Sequence, residues 1–234
     1  MLVLASCVTP NKTVNWTTPI ITIDGDEVSY RGHFIPQSYT LLKAVVGSQK
    51  VRTLRISSPG GEVGGAIDTA LWVYRNGIDV VVDAGCFSSC ANYVFPAGRE
   101  KHIVDGGLVG WHGTIEHRVY MQAQGVAISD DPKVVDMFEK LAAKEREFYE
   151  ELGLNGFISW FGKLPPYETK GIYFLSKEDM EYFGLTGLHV RDDYSRTDFS
   201  ATKGSIRLLA IDRSVTNLSD PKWMIQGRAQ NLKK

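Results

Sequence analysis

Three short stretches of the 234-residue chain carry side chains that could attack a carbonyl and stabilise what forms. Gly85-Cys86-Phe87-Ser88-Ser89-Cys90-Ala91 places serines where an apolar run gives way to small residues. A serine at a strand-to-helix turn points its Oγ into the crevice, beside first-turn amides that have no intrahelical acceptor. It is a poor nucleophile until a base takes its proton, and an imidazole titrates close enough to neutrality to do so. Val109-Gly110-Trp111-His112-Gly113 supplies one, with His112 lying 23 residues after Ser89. Ser57-Ser58-Pro59-Gly60-Gly61 falls between a β-branched run and a helical pattern, and its paired glycines can turn N–H groups inward as an anion cradle. It lacks both the Gly-Lys-Ser/Thr ending and the Gly-x-Gly-x-x-Gly spacing of nucleotide loops. Each stretch has a plainer reading as an N-cap, a tight turn or a satisfied histidine. His33, His102, His117 and His189 are given that plainer reading.

The elements that must position these residues follow from periodicity. Gly25-Asp26 divides two β-like runs, Ile20 to Asp24 and Glu27 to Tyr30, as a hairpin. A helix is expected over Pro36 to Val46, a strand over Val51 to Ile56, a helix over Glu62 to Tyr74 and a strand over Ile78 to Ala84. A small-residue helix start at Ser89 to Ala97 precedes short strands near His102 to Val104 and Leu108 to Trp111. Asp131 to Leu152 reads as a long amphipathic helix whose acids and bases form a solvated face. A strand at Gly171 to Leu175 leads into a capping-box helix from Ser176 to Gly184. Alternating strands and helices imply an α/β fold with right-handed crossovers and a mostly parallel sheet, whose carboxyl-end loops carry the chemistry.

Taken together, Ser58-Pro59-Gly60-Gly61, Ser89-Cys90-Ala91 and His112 resemble the Clp protease/crotonase superfamily on its serine-protease side, including periplasmic Clp-like proteases. Phe174-Leu175-Ser176, Glu178 and Tyr182-Phe183-Gly184-Leu185 are similar to the closing stretch of that family, so the resemblance covers residues 20 to 190. It implies a fold of repeated ββα and βαβ units, a peptide or protein substrate, no cofactor, and a homo-oligomer using the helix near Asp131 to Leu152. It further implies Ser89 as nucleophile, His112 as general base, and the N–H groups of Gly61 and Cys90 as oxyanion hole, with Ser88 the fallback nucleophile. The position of the family's acid is held here by Ile172, which cannot orient an imidazole. Glu168 lies four residues before that position and Asp105 lies near His112 in sequence, and neither is assigned. A serine peptidase is the leading expectation. A crotonase-type acyl-CoA enzyme and a catalytically weak or inactive interaction lipoprotein are the alternatives.

Composition bounds the rest. With 43% apolar and 23% charged residues the chain can bury a sizeable core. A net charge of −1 gives no global field toward nucleic acid. Residues 195–234 hold eight Lys/Arg against three acids and read as a basic, solvated extension. Residues 1–18 read as a truncated lipoprotein-type signal and tether, leaving 19–194 as the protease domain. Leu4-Ala5-Ser6-Cys7 looks like a lipobox, which implies a lipidated Cys7, a membrane anchor and a periplasmic or cell-envelope location, with the cytoplasm as alternative. Three cysteines make no disulfide scaffold. Cys86 and Cys90 are expected as free, buried small residues, and no metal site is expected.

Overall fold

Gly25 adopts a φ of 58°, which only a residue without a Cβ takes freely. It closes the antiparallel hairpin of β1 (Ile20–Asp24) and β2 (Glu27–Arg31). The computed structural model describes residues 19–126, 129, 131–197 and 206–214. Helix α1 (Ser38–Val46) follows, then β3 (Thr53–Ser58), α2 (Val63–Arg75) and β4 (Asp79–Phe87). α2 begins on Glu62, whose carboxylate accepts the N–H groups of Gly64 at 2.8 Å and Gly65 at 2.6 Å. Its inner face buries Ala66, Ile67, Ala70 and Val73 completely against the sheet.

Strand β4 pairs with β3 on one edge and with two strands in succession on the other. Val80–Val82 pair with β5 (Lys101–Ile103), and Gly85–Phe87 pair with β6 (Leu108–Gly110). The chain then forms α4 (Ile115–Ala123), α5 (Pro132–Leu152), β7 (Ile172–Leu175), α6 (Lys177–Tyr182), β8 (Leu188–Val190) and β9 (Ile206–Leu209). The large sheet runs β1-β2-β3-β4-β5-β8 with β6 on β4, and all its pairs but the first are parallel. The expected mostly parallel α/β architecture is therefore present. Side chains of β2, β3 and β4 such as Val28, Tyr30, Leu54, Ile56, Val80 and Val82 are fully buried at its centre.

Four features differ from expectation. Helix α4 was not foreseen, because its low-hydrophobicity sequence gives a weak period. Part of the basic extension is docked: β9 pairs in parallel with β7, and the Ile211 N–H donates to Asp179 at 3.3 Å. After Ser89 the helix opens as a π-turn, Cys90–Val94, before α3 (Phe95–Ala97). Pro96 explains it: lacking an N–H it cannot donate to the Asn92 carbonyl, and the Phe95 N–H reaches back to Cys90 instead.

The fourth difference is a correction. Cys86 and Cys90 form a disulfide, with Cα atoms 5.1 Å apart. The expectation of free, buried cysteines fails because Ser88 takes a φ of 55° and folds the chain back on itself, bringing the two Cα atoms within the ordinary range. Both half-cystines are fully buried. Closing so short a loop stabilises by about 2 kcal/mol in the chain-entropy treatment. The double variant Cys86→Ala/Cys90→Ala is expected to lose roughly 4–8 °C in Tm. Cys86 and Cys90 should also resist thiol alkylation until the protein is both unfolded and reduced. Free thiols at Cys86 and Cys90 in denatured, unreduced protein would contradict the bridge.

Candidate active site

The two candidate loops are neighbours before any side chain is considered, because Ser58 at the end of β3 is paired with Cys86 near the end of β4. Gly60 and Gly61 then run with φ of 93° and 139°. A Cβ on Gly60 would stand 2.6 Å from both the Phe87 carbonyl oxygen and the Ser88 Cβ, and one on Gly61 would stand 2.3 Å from the Phe34 oxygen. Only glycine lets this loop lie between Phe34 and the serine turn.

That packing fixes the direction of the peptide groups. The Phe34 N–H donates to the Gly60 carbonyl at 2.9 Å, and the Glu62 N–H donates to the Phe34 carbonyl at 2.9 Å. A trans peptide directs its N–H opposite its C=O, so the Gly61 N–H points away from Phe34. The Gly61 carbonyl faces the serine, accepting the Ser89 hydroxyl at 2.7 Å. The Cys90 N–H lies in the first turn after Ser89, where no intrahelical acceptor exists.

His112 is carried to the same place by three ties between its segment and the serine helix. The Ser88 N–H donates to Gly110 at 3.0 Å, the Trp111 indole to the Ala91 carbonyl at 3.1 Å, and the Asn92 amide to the Gly113 carbonyl at 3.1 Å. The result is one cavity of about 420 Å³ lined by Gly61, Ser88, Ser89 and His112. Ser89 is 3% exposed. The imidazole opens to the cavity, yet the protein around it withdraws water, and that burial is the largest cause holding its pKa below the usual value; Lys163 and Arg118 lower it further. No carboxylate acts on it among the described residues.

The acid position is accounted for by strand pairing. Trp111 and Tyr173 form an antiparallel bridge, exchanging hydrogen bonds of 2.9 and 2.8 Å, in whose register His112 stands opposite Ile172. Glu168 is exposed on its own turn. Lys163 instead lies beneath this region, donating to the carbonyls of Thr169 at 3.0 Å and Gly171 at 2.6 Å.

Sequence reasoning missed several cavity residues. His117, given a plain reading, lines the cavity with Arg118, Asn92 and Tyr93. His117 and Arg118 sit on the unforeseen α4. Cys7 lies outside the described residues. No cluster of three metal-ligating side chains occurs among the described residues, and no described helix is long and apolar enough to cross a membrane.

No family model matches the chain, and no curated protein matches it. Among solved structures it is similar to a variant of the 1510-N membrane-bound stomatin-specific protease, with a TM-score of 0.41 and 15% identity over 79% of this chain and 96% of that one. Another variant of that protease, in complex with a substrate peptide, gives a TM-score of 0.41 and 14% identity over 80% and 91%. A putative enoyl-CoA hydratase from Streptomyces coelicolor A3(2) gives a TM-score of 0.40 and 10% identity over 86% and 77%. Likenesses this distant assign no activity.

The register yields a test. Ile172→Asp places a carboxylate opposite His112, where it offsets Lys163 and Arg118. The His112 pKa, followed by NMR titration of the imidazole, is expected to rise by about one unit or more. An unmoved titration would mean that position 172 does not reach the ring.

Proposed function

We propose that the chain is a serine hydrolase acting on peptide bonds through Ser89 and His112. The observation that carries the reading is the hydrogen bond from the Ser89 hydroxyl to Gly61, which ties two loops distant in sequence into one cavity with His112. The Ser89 hydroxyl rotates off the Gly61 carbonyl toward the imidazole. Oγ attacks the substrate carbonyl carbon as its proton passes to His112, and the carbonyl oxygen becomes an oxyanion facing the Gly61 and Cys90 N–H groups. Donors so placed are worth about 3 kcal/mol each in transition-state stabilisation. Collapse breaks the C–N bond, the imidazolium proton leaves with the amine, and water hydrolyses the Ser89 ester by the same route.

The cavity lining bears on substrate and on the rivals. Among the described residues it includes His112, His117 and Arg118 but no carboxylate, with Val63, Ile115, Met121 and Val126 as apolar walls. Acyl-CoA chemistry on carboxylates would need such a group, and the described lining residues offer a serine and an imidazole instead. Peptides with an acidic or C-terminal carboxylate beside an apolar side chain suit it best. The inactive interaction protein remains a second reading, favoured by Ile172 opposite His112. The buried disulfide supports an oxidising compartment, in keeping with the envelope location and lipidated Cys7. A homo-oligomer through α5 completes the proposal; α5 exposes Met137, 48% accessible.

Fluorophosphonate labelling tests it. Wild type is expected to label at Ser89, Ser89→Ala not at all, and His112→Ala at least a hundredfold more slowly. Because the pKa of His112 is lowered, its neutral form dominates at neutral pH, and the labelling rate should rise with pH to a midpoint below about 6.5. Loss of labelling in Ser88→Ala with Ser89→Ala unaffected would move the nucleophile to Ser88. A wild type inert to the probe at every pH would favour the interaction protein.

A further inference from the structure

Helix α5 reaches the site through side chains that the reaction does not use. Tyr149 donates its hydroxyl to the Asn92 carbonyl at 2.7 Å, the acceptor that Pro96 leaves without a helical donor. Tyr149 also shares a 2.6 Å bond with Ser159, whose carbonyl accepts the Gly113 N–H at 3.0 Å. One turn earlier on α5, Glu145 is 1% exposed, and its Oε2 accepts the Glu116 N–H at 3.0 Å. The same carboxyl engages Thr114 and the Ile115 backbone. It therefore caps α4 from a neighbouring helix, two residues beyond His112.

Three buried polar atoms at this place have no hydrogen bond among the described residues: Asn92 Oδ1, Tyr93 Oη and Glu145 Oε1. They belong to adjoining side chains, since the Tyr93 hydroxyl interacts with both Asn92 and Glu145. A count of donors decides what is missing. Asn92 Oδ1 and an ionised carboxylate can only accept, and Tyr93 has one proton to give. One buried acceptor is then always unpaired. With a proton on Glu145 Oε1, a small closure of these adjoining side chains lets Glu145 donate to Tyr93 while Tyr93 donates to Asn92, which removes the shortfall.

We infer that Glu145 works as a buried neutral acid, closing a chain from Glu145 through Tyr93 to Asn92 that holds the Ser89 and His112 segments in register. The consequence for turnover rests on the hydrolase reading. The groups facing Glu145 agree. α4 presents Glu116, the π-turn presents Tyr93 and α5 itself presents Tyr149, each an acid or a phenol. Arg146, the adjacent cation, is engaged with Glu116 at 2.5 Å. Burial first, with Glu116 adding to it against the bonds from α4, pushes the Glu145 pKa up to about 7. Ionisation turns the Tyr93 proton toward the carboxylate and leaves Asn92 Oδ1 without a donor. The Asn92 amide, whose other end holds Gly113, is then no longer fixed.

The raised pKa sets the sign. Stability from the bound proton is complete below about pH 4.5, the unfolded value, and is lost as pH rises through about 7. Glu145→Gln donates to Tyr93 and accepts from α4 at every pH. Between pH 5 and 8 wild type is expected to fall roughly 5–10 °C in Tm relative to Glu145→Gln. The rate of Ser89 labelling in wild type should decline several-fold above about pH 7, while Glu145→Gln holds its plateau. Superimposable Tm–pH curves overturn the proposal whatever the labelling does. A Tm difference with identical labelling profiles overturns it too, because the chain then fails to reach the site. A Tm difference in a wild type that never labels supports the buried acid and counts against the hydrolase reading instead.

Discussion

The left-handed turn at Ser88 is the constraint on which the rest of the site depends. A side-chain-bearing residue holds a φ of 55° only when its surroundings over-determine it. Here they do so from three directions. The disulfide ties Cys86 of the strand to Cys90 of the helix across the turn. The Ser88 N–H is held by Gly110, and its carbonyl by the Asn92 N–H at 2.7 Å. Gly60 lies so close that no Cβ could be accommodated there. Together with the bonds of Trp111 to Ala91 and of Asn92 to Gly113, these restraints fix the direction in which the chain leaves β4 and keep the serines in the crevice.

Much of this was legible in the chain, and the reasons are local. Val51 to Ile56 and Ile78 to Ala84 are β-branched and apolar enough to be strands wherever they occur. The run from Glu62 to Tyr74 marks a helix by its amphipathic period. Gly60-Gly61 announces a backbone no other residue adopts. What escaped depended on partners distant in sequence. The Cys86–Cys90 bridge required the Ser88 dihedral, which no composition reveals. The π-turn followed from Pro96, visible in the sequence but read only as a small-residue helix. Glu145 had a signal that went unused: with Phe138, Leu141, Ala142, Phe148 and Tyr149 it lies on the apolar stripe of α5, where a carboxylate has no solvent to face. The docking of β9 on β7 rests on Ile206–Leu209, an apolar run embedded in basic sequence.

Ile172 opposite His112, together with Lys163 and Arg118, gives the imidazole an environment opposite to that of a triad histidine. A carboxylate partner would favour the imidazolium and fix one tautomer. Burial first, and then the two cations, disfavour the imidazolium, so the ring is a weaker base that stays neutral to lower pH. Restraint of the segment falls to the backbone instead: Trp111 bonded to Tyr173 on both sides, and Gly113 held at N–H and C=O by Ser159 and Asn92. Such restraint fixes where the ring starts but not which nitrogen carries its proton.

The hydrogen bond from Ser89 to the Gly61 carbonyl shapes how such a site turns on. Under the proposed mechanism the Ser89 proton starts on a peptide oxygen and not on His112. Leaving it costs about 1 kcal/mol, the net worth of one neutral hydrogen bond. That is small beside two N–H donors, so in the proposed reaction a substrate oxygen entering between Gly61 and Cys90 offsets the loss of that bond. The direction of the Gly61 peptide groups is fixed by Phe34, whose N–H and C=O hold Gly60 and Glu62. The loop therefore need not flip to expose its donor. Only the Ser89 hydroxyl has to rotate, and it does so in a cavity already shaped by Gly60, Gly61 and the disulfide.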